Sequence, residues 1–247
     1  MKKITLLLTT VFVLLAASLY AQTAKTRLDN GKRLFDQKNY DGAIQELNEA
    51  IRLDPKYALA YYYRGNAYSN KNDYDRAIAD YTEAIRLDPK YALAYYDRGY
   101  AYSNKNDYDR AIADYTETIR LSPQFVADAY HDRGYAYSNK NDIDRAIADY
   151  TEAIRLDPQF ELAYFDRGRA YHNKEDYDRA IADYTDVIRL DPQFAHAYFN
   201  RGNAYYNKKD YDRAIADYTE AIRLNPKDTD AYNNKRNAEQ AKRDAKK

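Results

Sequence analysis

The six prolines of this 247-residue chain are Pro55, Pro89, Pro123, Pro158, Pro192 and Pro226, spaced 34, 34, 35, 34 and 34 residues apart. Gly31, Gly65, Gly99, Gly134, Gly168 and Gly202 keep step with them. Residues 67–83 recur unchanged at 101–117, and 136–152 differs only at Ile143. A fixed period of this length means that one supersecondary unit has been copied, and that no copy buries its own apolar surface alone. The copying overrules the one or two compact domains that length alone would allow. It also accounts for 30 Tyr beside no Trp.

Each unit carries two helical stripes. In the second unit Tyr61, Arg64, Gly65 and Tyr68 share one face at spacings of three and four, and Ala77, Ile78, Tyr81, Ala84 and Ile85 repeat the pattern. Between the stripes Asn72 suits a left-handed turn and Asp73 can cap the next helix. Pro89 denies Asp88 ready access to helical angles and ends the unit. Small residues such as Gly65, Ala77 and Ala84 mark places where helices approach closely. The unit reads as a helix–turn–helix hairpin whose neighbours must stack on it.

Tyr61, Arg64, Gly65, Tyr68, Ala77, Tyr81, Ala84 and Pro89 occupy the places of the 34-residue W-x2-L-G-x2-Y…A-x3-F…P pattern, so the chain resembles the tetratricopeptide repeat family. The resemblance implies an all-α fold, a right-handed superhelical solenoid of antiparallel hairpins. Six repeats fall at 24–57, 58–91, 92–125, 127–160, 161–194 and 195–228. Residues 229–247 form a solvating capping helix and basic tail, with Arg236 where Gly would stand. Tyr replaces the family's Trp, and Arg64, Arg98, Arg133, Arg167 and Arg201 replace an apolar residue.

Buried arginines need partners. In an antiparallel hairpin turning near Asn72, residues equidistant from the turn lie at one height. That geometry predicts Arg64–Asp80, Arg98–Asp114, Arg133–Asp149, Arg167–Asp183 and Arg201–Asp217, each sixteen residues apart. Arg76, one turn before Asp80, offers a competing surface pair. The single 35-residue interval makes Val126 the apparent extra residue, either lengthening the link between repeats three and four or bending the stack there.

Residues 1–21 differ from the rest: Lys2 and Lys3 precede a mostly apolar run ending at Ala21, which reads as a secretory signal peptide cleaved after Ala21, or as an uncleaved anchor. The expected location is the periplasm or cell envelope, with secretion or membrane anchoring as alternatives. Loss of the leader takes the formal charge from zero to −2, and residues 235–247 hold six Lys/Arg against two Asp/Glu. The remaining body is acidic and offers no basic stripe for nucleic acid. Absence of cysteine excludes disulfides and thiol chemistry.

Copied units present the same side chains repeatedly, whereas an enzyme needs one asymmetric constellation. No HExxH, P-loop or GxSxG pattern occurs. His131, His172 and His196 belong to different units, which argues against a metal site. The expectation is no catalytic residue, no metal and no cofactor. Resemblance to the family implies instead a concave side lined by the first helices. The stripe there holds Tyr62, Asn66 and Ser69, then Tyr96, Tyr100 and Ser103, then His131, Tyr135 and Ser138. Phe165, Arg169 and His172 come next, with Phe199, Asn203 and Tyr206 last. Such a trough suits a peptide or partner-protein segment, with aromatic faces giving contact area and amides bonding its backbone. Asp97, Asp132 and Asp166 make its rim acidic and favour a neutral or basic partner. The alternatives are packing of individual aromatics between repeats, and an envelope glycan stacked on the rings.

Overall fold

The computed structural model describes residues 22–122 and 126–245, and every regular element in them is an α-helix. The leader at 1–21 and the link at 123–125 lie outside the described residues. The first hairpin pairs α1 (22–36) with α2 (Tyr40–Leu53). Two more come after it, α3 (Ala58–Asn70) with α4 (Tyr74–Leu87) and α5 (Ala92–Asn104) with α6 (Tyr108–Leu121). Then come α7 (Val126–Asn139) with α8 (Ile143–Leu156), α9 (Glu161–Asn173) with α10 (Tyr177–Leu190), and α11 (Ala195–Asn207) with α12 (Tyr211–Leu224). A single helix, α13 (Thr229–Asp244), ends the described chain.

The chain divides into two compact units between Ser122 and Pro123, at the link that carries the longer interval. Val126 opens α7, which is one residue longer than α3, α5, α9 and α11. From Ala129 onward the register to Gly134 matches that of Ala94 to Gly99, so the extra residue is taken up at the helix entry and leaves the rest of α7 unrotated.

Turn chemistry explains the hairpins. Asn72 adopts φ 59°, with Asn106, Asn141 and their equivalents alike. The Asp73 N–H donates to the Tyr68 carbonyl at 2.9 Å and closes the end of α3. The Asp73 carboxylate then accepts the Arg76 N–H and starts α4. Asp88 ends α4 in extended backbone ahead of Pro89.

The core is built from very small residues against one large one. Tyr81, Tyr115, Tyr150, Tyr184 and Tyr218 on the second helices are each 1% exposed, and Leu47 takes that place in the first hairpin. Each lies over the glycine of its own first helix: a Cβ on Gly65 would sit 2.7 Å from the Tyr81 ring. Glycine here admits a ring rather than a turn.

The predicted arginine ladder is present. Arg64 donates to both Asp80 oxygens at 2.8 and 2.6 Å, and Arg98, Arg133, Arg167 and Arg201 grip Asp114, Asp149, Asp183 and Asp217 in the same bidentate way. Arg76 turns instead to its cap, Asp73, at 2.6 Å. The remaining nitrogen of Arg64, Arg98, Arg167 and Arg201 reaches the preceding hairpin, at Asn48, Thr82, Thr151 and Thr185. One guanidinium thus fixes three helices. In the first hairpin, which has no such arginine, Arg27 bonds Glu46 at 3.1 Å.

Within each unit the first helices touch in succession, α3 with α5, then α7 with α9, α9 with α11, and α11 with α13. Among the described residues of each unit no two consecutive second helices touch. The first helices therefore line the inner side of each unit. Arg236, at the glycine position of α13, is exposed.

Candidate functional site

The fifteen positions of the predicted trough separate into three rows. The row three residues before each glycine packs over the second helices, and Tyr62, His131 and Phe165 also meet the following hairpin. Tyr62 is only 7% exposed, with its ring 4.8 Å from Tyr91 and 6.0 Å from Tyr81. His131 lies 4.9 Å from Phe160 and 5.6 Å from Tyr150, and Phe165 lies 5.1 Å from Phe194 and 5.9 Å from Tyr184. Tyr96 packs on Tyr115 at 5.7 Å and Phe199 on Tyr218 at 6.0 Å. The cause is positional: from this place a side chain lies over its own second helix and, within a unit, against the next hairpin, where a ring loses most of its contact with water.

Polar tips in this row are matched by carboxylates two residues before the next glycine. The Tyr62 hydroxyl donates to Asp97 Oδ2 at 2.7 Å, and burial pushes the Asp97 carboxyl up to about 6 even though that bond lowers it. His131 sits between Asp132 Oδ1 at 3.1 Å and Asp166 Oδ2 at 3.0 Å. Burial opposes its protonation, but the two carboxylates more than offset that and hold its pKa up at about 9. Arg169 adds a bond to Asp166 at 3.2 Å. In the second unit, then, the carboxylates expected to draw a basic partner are already balanced by His131 and Arg169.

This clamp has a pH signature. A histidine whose folded pKa exceeds its unfolded value of about 6.5 adds stability that is complete below that pH and lost as pH rises through about 9. The contribution is on the order of 3 kcal/mol. Urea denaturation should show the second unit weakening between pH 6 and pH 9.5, and His131→Phe should flatten that dependence. An unchanged slope in His131→Phe would remove the clamp from the account.

The row just after each glycine behaves in two ways. Tyr100 and Tyr135 are 48% and 43% exposed, and Arg169 is also exposed. Asn66 and Asn203 are half-buried, and each side-chain oxygen accepts the hydroxyl of a core tyrosine, Tyr81 or Tyr218, at 2.8 Å. These two amides position the core and keep their N–H groups for other bonds.

In the row four after each glycine, Ser69, Ser103 and Ser138 are half-buried. His172 and Tyr206 join Asn203, Asn207, Tyr218, Asn234 and Asn237 around a cavity of about 270 Å³. Sequence reasoning stopped at Tyr206 and missed Asn207, Asn234 and Asn237. The signal for Asn234 and Asn237 was the asparagine-rich run at 233–237, which stands where the fifth repeat has Asp166 and Arg169; Asn207 carried no such signal, since Asn70, Asn104, Asn139 and Asn173 hold the same place in earlier repeats. Among the described residues no group of three or more His, Asp or Glu is placed to hold a metal ion, and no helix is long and apolar enough to cross a membrane.

Known proteins carry the same arrangement. Tetratricopeptide repeat models match residues 58–91, 92–125 and 165–229, and a TPR repeat model matches 31–72 and 134–175. No match is found among curated proteins. Among solved structures, YrrB, a TPR protein with an unusual peptide-binding site, is 26% identical, with a TM-score of 0.67 over 77% of this chain and 97% of its own. MamA is 28% identical, with a TM-score of 0.63 over 66% of this chain and 95% of its own. PilF of Pseudomonas aeruginosa shares the fold, at 16% identity and a TM-score of 0.72 over 87% of this chain and 97% of its own. With the glycine–tyrosine contact, the capped turns and the stacked hairpins all in place over these matched segments, the chain belongs to the tetratricopeptide repeat family.

Proposed function

We propose that the protein is an exported, non-catalytic scaffold that holds a peptide or a segment of a partner protein against the inner, first-helix side of its repeats. One observation carries the reading. The residue after the glycine stands clear of the packing as a large aromatic, Tyr100 in the first unit and Tyr135 in the second. Half-exposed tyrosines on rigid helices supply contact area at small entropic cost, since only two side-chain torsions are frozen on binding. YrrB, with its peptide-binding site, supports the class of ligand. Export rests on the leader, with the periplasm or envelope as the expected compartment.

Photo-crosslinking tests this directly. A crosslinker replacing Tyr100 or Tyr135 should capture the same partner from the envelope fraction, whereas one replacing exposed Ala148 on α8 should not. Tyr100→Ala with Tyr135→Ala should weaken capture about tenfold or more at unchanged helicity, as expected when central aromatic contacts are lost. Equal labelling from Ala148, or full capture by the double variant, would refute the reading.

A further inference from the structure

The cavity at the junction of α11 and α13 is lined by His172, Asn203, Tyr206, Asn207, Tyr218, Asn234 and Asn237. No lining residue is an acid, lysine or arginine, in a chain of which 32% is charged. Burial keeps the His172 imidazole below its ordinary pKa, hence neutral. The junction one repeat earlier has Arg169 where this one has Asn203, and Asp166 where this one has Asn200. The change from charge to amide continues into α13, where Asn237 and Asn234 hold those two places.

The amides are fixed before any ligand arrives. Asn203 Oδ1 accepts both the Tyr218 hydroxyl at 2.8 Å and Asn234 Nδ2 at 2.9 Å, which uses both of its lone pairs and sets the plane of the group. The Asn203 N–H pair is left as a fixed donor, and Asn234 Oδ1 as an acceptor. Asn207 Nδ2 donates to His172 Nε2 at 3.1 Å, which places the imidazole proton on Nδ1 and leaves Asn207 Oδ1 as a second acceptor. The Tyr206 ring is braced edge-on against Tyr211 at 5.6 Å.

We propose that this cavity is a saccharide subsite, which takes one neutral sugar ring through its hydroxyl or acetamido groups. A hydroxyl both accepts and donates, so it complements a fixed donor beside fixed acceptors. A carboxylate or phosphate finds no cation here and cannot donate to Asn207 or Asn234, and an ammonium group cannot accept from Asn203. The volume, just under the ~300–1,000 Å³ of drug-sized sites, fits one ring and not an extended chain. The Tyr206 ring supplies an apolar surface for the C–H face of the sugar. This site goes beyond the peptide reading and does not depend on it, since neither Tyr100 nor Tyr135 lines the cavity.

Ligand-observed NMR titration of the full chain tests the proposal, with glucose, N-acetylglucosamine, glucuronate, glucosamine and doubly blocked glutamine as probes. Saturable binding of glucose or N-acetylglucosamine is expected, with glucuronate and glucosamine at least about tenfold weaker. Asn207→Ala with Asn237→Ala removes exposed side chains and should weaken sugar binding about tenfold or more, through loss of the Asn207 acceptor and of the Asn237 wall beside it. Tyr135→Ala should leave it unchanged. Absence of binding by either neutral sugar, or binding indifferent to the double variant, would overturn the proposal. So would blocked glutamine binding as tightly as the sugars, because the cavity would then be a side-chain pocket for a peptide.

Discussion

Arg167→Ala should destabilise the second unit by about 3 kcal/mol, the scale of breaking a buried ion pair by removing one member. The residue left behind, Asp183, is 4% exposed and would lose two charge-assisted bonds of 2.9 and 2.7 Å. The tie from Arg167 to Thr151 at 3.1 Å, which joins one hairpin to the one before, would go as well. The two partners pull in opposite directions. Burial lowers the guanidinium pKa but Asp183 more than restores it, whereas burial raises the Asp183 carboxyl further than Arg167 lowers it. Arginine is charged at any working pH, so only the carboxyl side bears on pH dependence. With Arg167 gone, that carboxyl should rise further. The penalty is present where Asp183 is ionised and shrinks as acid protonates it. Replacing both partners, Arg167→Leu with Asp183→Leu, should recover most of the loss, because the pair fixes register more than it stabilises. Chemical denaturation of the single and double variants reads both effects. A cost below about 0.5 kcal/mol for Arg167→Ala, the range of an ordinary surface change, would show the ladder to be ornamental.

Tyr184→Ala should cost about 4 kcal/mol, as for other buried aromatic-to-alanine changes. The ring is 1% exposed and lies against Gly168, where an added Cβ would stand 2.8 Å from it. Gly168→Ala should also destabilise, by about 1–3 kcal/mol through overpacking, although alanine is the better helix former by about 1 kcal/mol. That reversal of sign separates a packing glycine from a merely permissive one. Because repeats contact only their neighbours, denaturation should report the damage as earlier loss of the second unit, with the first unit largely unaffected. Equal destabilisation of both units by Tyr184→Ala would contradict that locality.

Periodicity made the hairpins legible, since a copied pattern shows its spacing without any knowledge of packing. The arginine ladder was legible for a related reason: antiparallel geometry alone sets Arg64 opposite Asp80. The covered row was not. Tyr62 and Tyr100 are both tyrosines on the inner stripe of a first helix, yet one is buried and the other is half exposed. Tyr62 stands three before its glycine and Tyr100 one after its own, and only the packed hairpins show which of these two rows is covered. A 35-residue offset from Tyr62 to Asp97, and from His131 to Asp166, was the available clue. The cavity was not legible because it joins a copied residue, Asn207, to Asn234 and Asn237 of the last helix, where the repeat pattern breaks down.

At the turn ends, Lys174 pairs with Asp144, Lys208 with Asp178 and Lys242 with Asp212, always thirty positions apart. These lysine–aspartate ties, and the arginine–threonine ties of Arg167 and Arg201, are written in constant offsets through the second unit. An unequal crossover that deletes or inserts one whole period would bring matching partners together again at the new joint. The gene can therefore lengthen or shorten its product in steps and find these recurring ties ready at the new joint, and strains differing by one copy would each inherit them.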